Sequence, residues 1–312
     1  MNAKGESVQD VAITRLTQEG VIQVAGADAR AFLHAQLTND IEQLGQDQAR
    51  RAGWCTAKGR LLATLLVVPQ PDAFLLLLPS ELVATVMKRL KMFVLRSKVT
   101  LDDASAHWIQ YGLFGSGALP ALAAHNVQAS GAVLTLARDR AAILIRIEGE
   151  RLRILVPAES GAGLVERLAL PEVSETRWRL EEIRMGLPQV VAATQELFVP
   201  QMLNFEAVAG LDFKKGCYPG QEVVARAQYR GQVKRHMRRA HVAGSTPPAV
   251  GQDLYCDDQS GQACGTVVAV AAVEGGSELL AVVPDGTTES PPSVRVAPGG
   301  APLEWRPLPY AV

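Results

Sequence analysis

One ten-residue segment concentrates the groups that could do chemistry. Residues 213–222, Phe-Lys-Lys-Gly-Cys-Tyr-Pro-Gly-Gln-Glu, contain a thiol, two ammonium groups, a carboxamide, a carboxylate and two glycines. The glycines allow a tight turn and the close approach of a ligand, and lysines beside a thiol favour its thiolate form. Cys217 is therefore a candidate reactive cysteine. A tight turn around a partly buried structural cysteine explains the same residues, and the sequence leaves both interpretations open.

Positive charge is concentrated in the same region. From Lys214 to Arg239 the chain has eight Lys or Arg residues and one acid, Glu222, although the whole chain has 31 basic and 32 acidic residues. A solvated basic face is the ordinary interpretation, but the asymmetry also suits RNA phosphates or a small polyanionic ligand. The only aromatic residues in this run are Tyr218 and Tyr229, so a stacking platform for single-stranded nucleic acid is poorly supported.

Two other segments carry polar groups at special positions. Lys58-Gly59-Arg60 sets two cations around a glycine, just before an apolar run. Gln201 and Asn204 bring two amides into a long segment of low periodicity. Such amides can read the donor and acceptor edge of a heterocycle, or they can hold their own loop in place.

The common catalytic and metal-binding motifs are missing. The sequence has no GxSxG, P-loop, HExxH or Rossmann GxGxxG pattern, and its five histidines are scattered. The four cysteines form no CxxC pair, so neither a zinc ribbon nor any other metal site is predicted. In a reducing compartment we expect all four to be free thiols.

Length and hydropathy indicate a globular, cytoplasmic protein. The 312 residues, 48% of them hydrophobic, suffice for two or three domains with a real core. The longest apolar runs are far below the roughly 18 residues that a spanning helix needs, so no membrane association is expected. The polar N-terminus has no apolar signal core, which favours the cytoplasm.

The apolar pattern predicts an α+β fold. Strands are expected over 21–25, 61–68, 73–78, 98–101, 107–114, 141–147 and 152–156, with further short strands after about residue 240. Helices are expected over 27–38, from Ser80 onward, over 159–168 and over 174–185, the last ended by Gly186. Residues 187–220 are predicted to be a long loop, and a loop of this length is usually either functional or disordered.

The motif residues resemble a known family. Residues 213–222 and their continuation Val-Ala-Arg-Ala-x-Tyr-Arg-Gly-x-x-Lys-Arg to 235 are similar to the signature of the YgfZ family. Shorter matches lie at 57–60, 96–99, 198–204 and 307–310. The family comprises folate-binding proteins linked to iron–sulfur enzyme maintenance and tRNA modification. It is related in fold to the aminomethyltransferase (T-protein) of the glycine cleavage system.

The resemblance implies an architecture and a ligand. It implies two α+β domains, 1–104 and 105–238, and a small C-terminal β-barrel, 239–312, around a central channel for tetrahydrofolate or a one-carbon derivative. Trp178 would pack on the flat pterin or aminobenzoyl ring, although a core tryptophan on a helix is the alternative. Cys217 would be the functional thiol near the channel. The other implied ligand-binding residues are Gln201, Asn204, Lys215, Tyr218, Gln221, Glu222 and Arg226.

Three functions follow from the resemblance and the charge. The leading one is a folate-binding accessory protein that supports iron–sulfur cluster assembly or repair in client enzymes, including tRNA-modifying ones. An aminomethyltransferase would need the Asp pair that the T-protein carries after a glycine. Aligning that glycine with Gly59 places Leu62 and Ala63 there, and neither can transfer a proton. Direct tRNA binding, the third, depends on the basic run Lys214 to Arg239 alone.

Overall fold

Three antiparallel sheets and six α-helices make up the described part of the computed structural model. The structure describes residues 11–129, 131–160, 163–229, 233–257, 262–287 and 294–312. None of the described helices is long and apolar enough to cross a bilayer. Arg230, part of the predicted basic run, lies outside the described residues.

The first sheet carries two helices on one face. Its strands, in spatial order β3-β4-β5-β2-β6, are β3 (Arg50–Cys55), β4 (Leu61–Pro69), β5 (Ala73–Pro79), β2 (Glu19–Ala25) and β6 (Thr100–Asp103). Helices α1 (Ala29–Gln36) and α2 (Ser80–Lys91) pack on it. The apolar runs predicted these elements correctly within a few residues, except β3, whose charged start hides it in the sequence.

The second sheet repeats the arrangement. Its strands, in spatial order, are β1 (Ala12–Arg15), β7 (Trp108–Phe114), β10 (Arg151–Pro157), β9 (Ala142–Ile147) and β8 (Leu136–Asp139). Helices α3 (Ala118–Ala124) and α4 (Gly163–Leu168) cover its outer face. The predicted first domain, 1–104, thus contains a strand, β1, that belongs to the second sheet.

The two sheets pack back to back through their inner faces. Successive residues of a strand point to opposite faces, so Leu76 and Leu78 of β5 face α1 and α2 while Leu75 and Leu77 face the second sheet. There they join Ile143 and other residues of the second sheet in one shared core. The result is a helix–sheet–sheet–helix sandwich.

The C-terminal region is a curled six-stranded sheet. Its strands, in spatial order, are β15 (Val294–Arg295), β12 (Asp253–Cys256), β13 (Ala263–Val273), β14 (Gly276–Pro284), β11 (Arg235–Ala243) and β16 (Leu303–Arg306). An isolated bridge between Arg295 and Pro302 brings the two edges together, in agreement with the predicted small barrel. The predicted boundary at 238/239 falls inside β11.

The expectation of four free thiols is wrong for one pair. Cys256 and Cys264 form a disulfide with their Cα atoms 5.8 Å apart. They meet because β12 and β13 are adjacent antiparallel strands in which Tyr255 pairs with Ala263, a proximity that sequence spacing does not reveal. Cys55 and Cys217 are free.

Helix α5 (Glu175–Arg184) joins the sandwich to the barrel. It begins at Ser174, whose side chain accepts a hydrogen bond from the Thr176 amide, and Gly186, with φ +65°, follows its end as predicted. The Tyr310 hydroxyl donates to the Gly186 carbonyl at 2.6 Å, so the C-terminal segment closes over this helix end. Between α5 and α6 (Gln221–Tyr229), the long loop contains only short 3-10 helices among its described residues.

Candidate functional site

Lys215 ties the 213–222 loop to the end of α1. Its ammonium group donates to the carbonyl oxygens of Leu37, at 2.7 Å, and of His34. The side chain is buried, and this burial lowers the pKa of Lys215 to about 8. Lys215 is therefore an anchor of the loop in this structure.

Tyr218 lies beneath the same loop. Its ring is buried against Leu211 and Val224, and the Lys215 ammonium lies 5.1 Å from its centroid. Burial raises the pKa of the Tyr218 phenol. Like Lys215, Tyr218 contributes to the packing that fixes the loop.

The Cys217 thiol is exposed on this anchored loop. At Gly220, φ is +82° and an added Cβ would lie 2.4 Å from the Thr56 carbonyl oxygen, so only glycine permits this close approach. By contrast, burial raises the pKa of the other free thiol, Cys55, to about 12. The structure therefore contains the tight turn that was one of the two interpretations of this segment. The turn presents the Cys217 thiol to solvent.

The beginning of α6 adds polar groups beside the loop. The Gln221 side-chain amide donates to the carbonyl oxygens of Lys215 and Gly216, both at 3.4 Å. Glu222 and Arg226 are exposed and pair with each other at 2.8 Å. The structure therefore brings Lys215, Cys217, Tyr218, Gln221, Glu222 and Arg226 together in one region, where Cys217, Glu222 and Arg226 are exposed and Lys215 and Tyr218 are buried.

Most of the described basic run is already neutralised or occupied. Arg239 pairs with Glu278 at 2.6 Å, and Arg238 lies 3.7 Å from Asp285. Lys215 and Arg226 are engaged as described above. The sequence count therefore overstates the positive charge that this region offers to a partner.

The two loop amides hold the protein together internally. Gln201 donates to the Val224 carbonyl at 2.7 Å, and Asn204 donates to the Met237 carbonyl at 2.8 Å. Both side chains are buried. This placement agrees with the interpretation in which the two amides hold their own loop in place.

Trp178 packs in the core between the two sheets and is 2% exposed. An added Cβ at Gly112 would lie 2.2 Å from Trp178 Cε3, so the glycine makes room for the indole. The Arg151 guanidinium lies 5.4 Å from the ring centroid. The alternative of a core tryptophan matches this packing, and pterin contact by Trp178 stays a prediction.

A cavity lies between the two sheets, α5 and the long loop. It holds about 80 Å³ of space, less than the roughly 300–1,000 Å³ of pockets for drug-sized ligands. Its polar lining comes from several elements: Glu19, Arg51, Thr64, Arg153, Glu182 and Gln189. Of the residues predicted to bind a ligand, none is among those lining this cavity in the described structure.

Ion pairs cross this cavity from one sheet to the other. Glu19 of β2 pairs with Arg153 of β10 at 3.3 Å and accepts a hydrogen bond from Gln189 at 2.8 Å. Although burial opposes its ionisation, Arg153 and Arg179 hold the pKa of Glu19 below its usual value. Arg51 of β3 makes a two-pronged pair with Glu148. The network joins the sheets and surrounds the cavity with charge.

Among the residues that the structure describes near this network, three buried donor atoms have no hydrogen-bond acceptor. They are Nη1 and Nη2 of Arg151 and Nε1 of Trp178. A buried donor without a partner costs about 1–3 kcal/mol. The Arg151 guanidinium and Oε2 of Glu182 have hydrogen-bonding capacity left for a folate, whereas Arg51, Arg153 and Gln189 are already paired. A pterin would fit only after one wall moves, because the cavity is small.

The sequence could have revealed part of this site. Arg151 and Arg153 alternate within an otherwise apolar strand, and a buried arginine in such a strand needs a partner. Glu19, Arg51 and Glu182 gave no comparable signal, because they belong to separate elements and share no motif.

The strand that would carry a catalytic acid is apolar here. Leu62 and Ala63 are both buried, and Thr64 is the residue of β4 that brings a hydroxyl to the cavity. In the described residues, no group of three or more His, Cys, Asp or Glu side chains could hold a metal ion.

Comparison with known proteins identified similar chains. The tRNA-modifying protein YgfZ of Shigella sonnei is 30% identical over 294 residues, covering 93% of this chain and 90% of that protein. The protein of the same name from Colwellia psychrerythraea is 32% identical over 225 residues, covering 72% and 69%. No protein-family model matches the chain.

The fold is that of an aminomethyltransferase. The glycine cleavage system aminomethyltransferase T from Bartonella henselae superposes with a TM-score of 0.73 over 96% of this chain and 86% of that chain, at 16% identity. The predicted fold class is thereby confirmed.

Proposed function

Because the chain belongs to the YgfZ family, we propose that it binds tetrahydrofolate or a one-carbon derivative and supports iron–sulfur cluster assembly or repair in client enzymes, tRNA-modifying enzymes among them. The observation that carries the proposal is the charged cavity between the sheets, within an aminomethyltransferase fold that has Leu62 and Ala63 where a proton-transferring pair is expected. Such a protein binds the cofactor without processing it.

Specific residues of the cavity would hold the folate. Glu182, whose Oε2 accepts no hydrogen bond, offers an acceptor to the N–H groups of a pterin. Arg51 and Arg153 would exchange their present partners, Glu148 and Glu19, for a glutamate tail. Leu187, Pro188 and Gln189 form one wall of the cavity, and the bonds from Gln189 to Glu19 and Arg179 would have to break for this wall to admit a pterin. A bound folate would supply a reduced pterin or a one-carbon group.

Calorimetric titration with tetrahydrofolate and its formyl and methylene forms tests this proposal. We expect Glu182→Gln to weaken binding about tenfold or more, because a charged hydrogen bond contributes about 1.5–3 kcal/mol. Glu172→Gln, at an exposed position, is the matched control and should bind like the wild type. The absence of any binding heat and thermal stabilisation with all three folates would reject folate binding.

Testing whether Trp178 contacts folate requires a conservative substitution. Trp178→Ala would remove a ring that fills the core and cost about 3–5 kcal/mol of stability, so its loss of binding would have two explanations. Trp178→Phe keeps an aromatic ring. If the indole contacts folate, this variant should bind more weakly at unchanged fold, as judged by circular dichroism. Unchanged affinity would assign Trp178 to the core alone.

The thiol and the enzyme alternative have separate tests. Cys217→Ala should retain folate affinity, because the exposed thiol is not among the residues that line the cavity. The variant should fail to complement a deletion strain, because we propose Cys217 as the functional thiol. Full complementation would show that the thiol is dispensable.

The purified protein should show no glycine-cleavage turnover when mixed with the partner proteins of the glycine cleavage system, and measurable turnover would restore the aminomethyltransferase alternative.

Direct binding of tRNA is the second candidate function, favoured by the exposed Lys214, Lys234 and Arg235 of the basic run. It predicts weak binding that falls steeply with salt as counterions are released. A gel-shift titration that shows no complex at low salt would exclude it.

A further inference from the structure

Three apolar side chains just after the end of α2 are exposed in the described part of the chain. Met92, Phe93 and Leu95 are 63%, 45% and 88% exposed, and they account for three of the seven large apolar residues exposed in the described part of the chain. Val94, between them, packs against the core of the first sheet. The other three therefore project into solvent, and such clusters mark interaction sites.

The backbone of this segment is held in an unfavourable conformation. Leu95 has φ +46°, in the left-handed region, which costs a non-glycine residue about 1–2 kcal/mol. A glycine or asparagine would relieve that cost. The protein instead keeps a large apolar side chain at its most exposed apolar position, and retained strain of this kind points to function.

Two further exposed apolar residues extend the surface. Arg89, one helical turn before Phe93, pairs with Glu196 at 3.2 Å, next to the 41% exposed Leu197. Arg60 donates to the Leu197 carbonyl. Beside Arg60, an added Cβ at Gly59 would lie 3.1 Å from Cβ of Val223, which is 43% exposed. A line of contacts therefore runs from the end of α2 to the start of α6.

Cations surround these apolar residues. Lys58, Arg60, Lys88, Lys91, Arg96 and Lys98 are all exposed. Of the acids on this surface, Glu196 and Glu222 pair with arginines, and Asp28 accepts a hydrogen bond from the Lys98 amide at 2.7 Å. The surface is thus positive although the chain as a whole has a net charge of −1, and it complements an acidic partner.

We propose that this surface, which we call the α2 face (Met92, Phe93, Leu95, Leu197 and Val223 with their surrounding cations), docks a protein that presents an apolar patch ringed by acidic residues. Methionine, phenylalanine and arginine are typical of protein interfaces. The aliphatic members of the face cannot stack on nucleobases, so RNA fits it less well.

The α2 face adjoins the loop that carries Cys217. Gly220 of that loop contacts the turn at Thr56 and Gly59, the same turn that meets Val223. A protein docked on the face would therefore lie beside the exposed thiol. The proposal shares with the proposed function the need for a client protein, but it does not depend on folate binding.

Site-specific photo-cross-linking in cells tests the proposal. A benzoylphenylalanine side chain is placed at Phe93 or at Leu197, and at Val133, an exposed apolar position that is not part of the face, as the control. We expect the same acidic protein to cross-link from both test positions and not from Val133. Cross-links to tRNA or lipid, or the same products from all three positions, would overturn the proposal.

The purified cross-linked protein then provides a quantitative test. Lys91→Glu and Leu95→Asn should each weaken its binding about tenfold, and an acid-to-lysine change on the partner should rescue Lys91→Glu. Arg15→Glu, exposed on β1, is the charge-reversal control. Folate titration of the same variants should be unchanged, which separates this proposal from the folate site. Wild-type affinity in both face variants would overturn it.

Discussion

At the residue scale, the cysteines differ in accessibility. Cys217 is exposed, Cys55 is buried with its pKa raised to about 12, and Cys256 and Cys264 are bonded to each other. We expect maleimide to label one thiol in the native protein, two after denaturation without reductant, and four after denaturation with reductant. Mass spectrometry counts the adducts. Four adducts without reductant would mean that the disulfide does not form.

Lys215 should leave a signature in the pH dependence of stability. Its folded pKa, about 8, lies below its ordinary value of 10.5, so above pH 8 the unfolded chain binds the extra proton. Stability rises with pH where the unfolded state binds more protons. The free energy of unfolding of the wild type should therefore increase, relative to Lys215→Met, between about pH 8 and pH 10.5.

Urea denaturation at several pH values measures this effect. Lys214→Met is the matched control, because Lys214 is the exposed neighbour of Lys215. The difference between wild type and Lys214→Met should not change with pH. If the difference in free energy of unfolding between wild type and Lys215→Met were also independent of pH, the Lys215 ammonium would not be desolvated.

At the element scale, β7 depends on a glycine where α5 crosses it. An alanine at Gly112 would put Cβ 2.2 Å from the Trp178 ring, which is locked in the shared core. We expect Gly112→Ala to lower the free energy of unfolding by about 1–3 kcal/mol. Gly163→Ala, where nothing lies within 4 Å of the new Cβ, is the control. Equal melting temperatures for the two variants would contradict this account.

Most elements with a continuous apolar signal were predicted, although the apolar helix α3 (Ala118–Ala124) was not. The leucines of β5 and the capped, glycine-ended α5 were found because their local patterns agree with their final environment. β3 was missed because Arg50 and Arg51 begin it, and it is stabilised by pairing with β4. The disulfide was missed for a similar reason, since strand pairing alone brings its two cysteines together.

At the scale of the whole molecule, the ion pair Glu19–Arg153 joins the two sheets across the cavity. The folded pKa of Glu19 lies below the ordinary value of 4.5, so its contribution to stability is present above that pH and is lost as the pH falls through the folded pKa. We expect Glu19→Gln to lose stability at neutral pH and to show a weaker dependence on acid. Chemical denaturation between about pH 3 and pH 7 measures both.

An exposed carboxylate provides the comparison. Glu150→Gln should retain the wild-type acid dependence, because Glu150 is exposed. If Glu19→Gln and Glu150→Gln followed the same curve, the pair across the cavity would not link the sheets energetically.

The candidate site was predictable only in part. The loop 213–222 was found because its chemistry is contiguous in sequence, and the structure keeps it together in one region. The cavity lining was not found, because Glu19, Arg153 and Glu182 come from three elements that only the back-to-back packing brings together. Trp178 was singled out by resemblance, yet its surroundings are those of a core residue.

The interior shared by the two sheets has a consequence for anyone dividing the gene. Leu75 and Leu77 of the first sheet are buried in one core with Ile143 and Ile145 of the second sheet. Expressed alone, either half would expose this apolar face to water and aggregate. Co-expressed, the two fragments should reassemble into the native fold, so split-protein complementation can report on the folding of this protein in living cells.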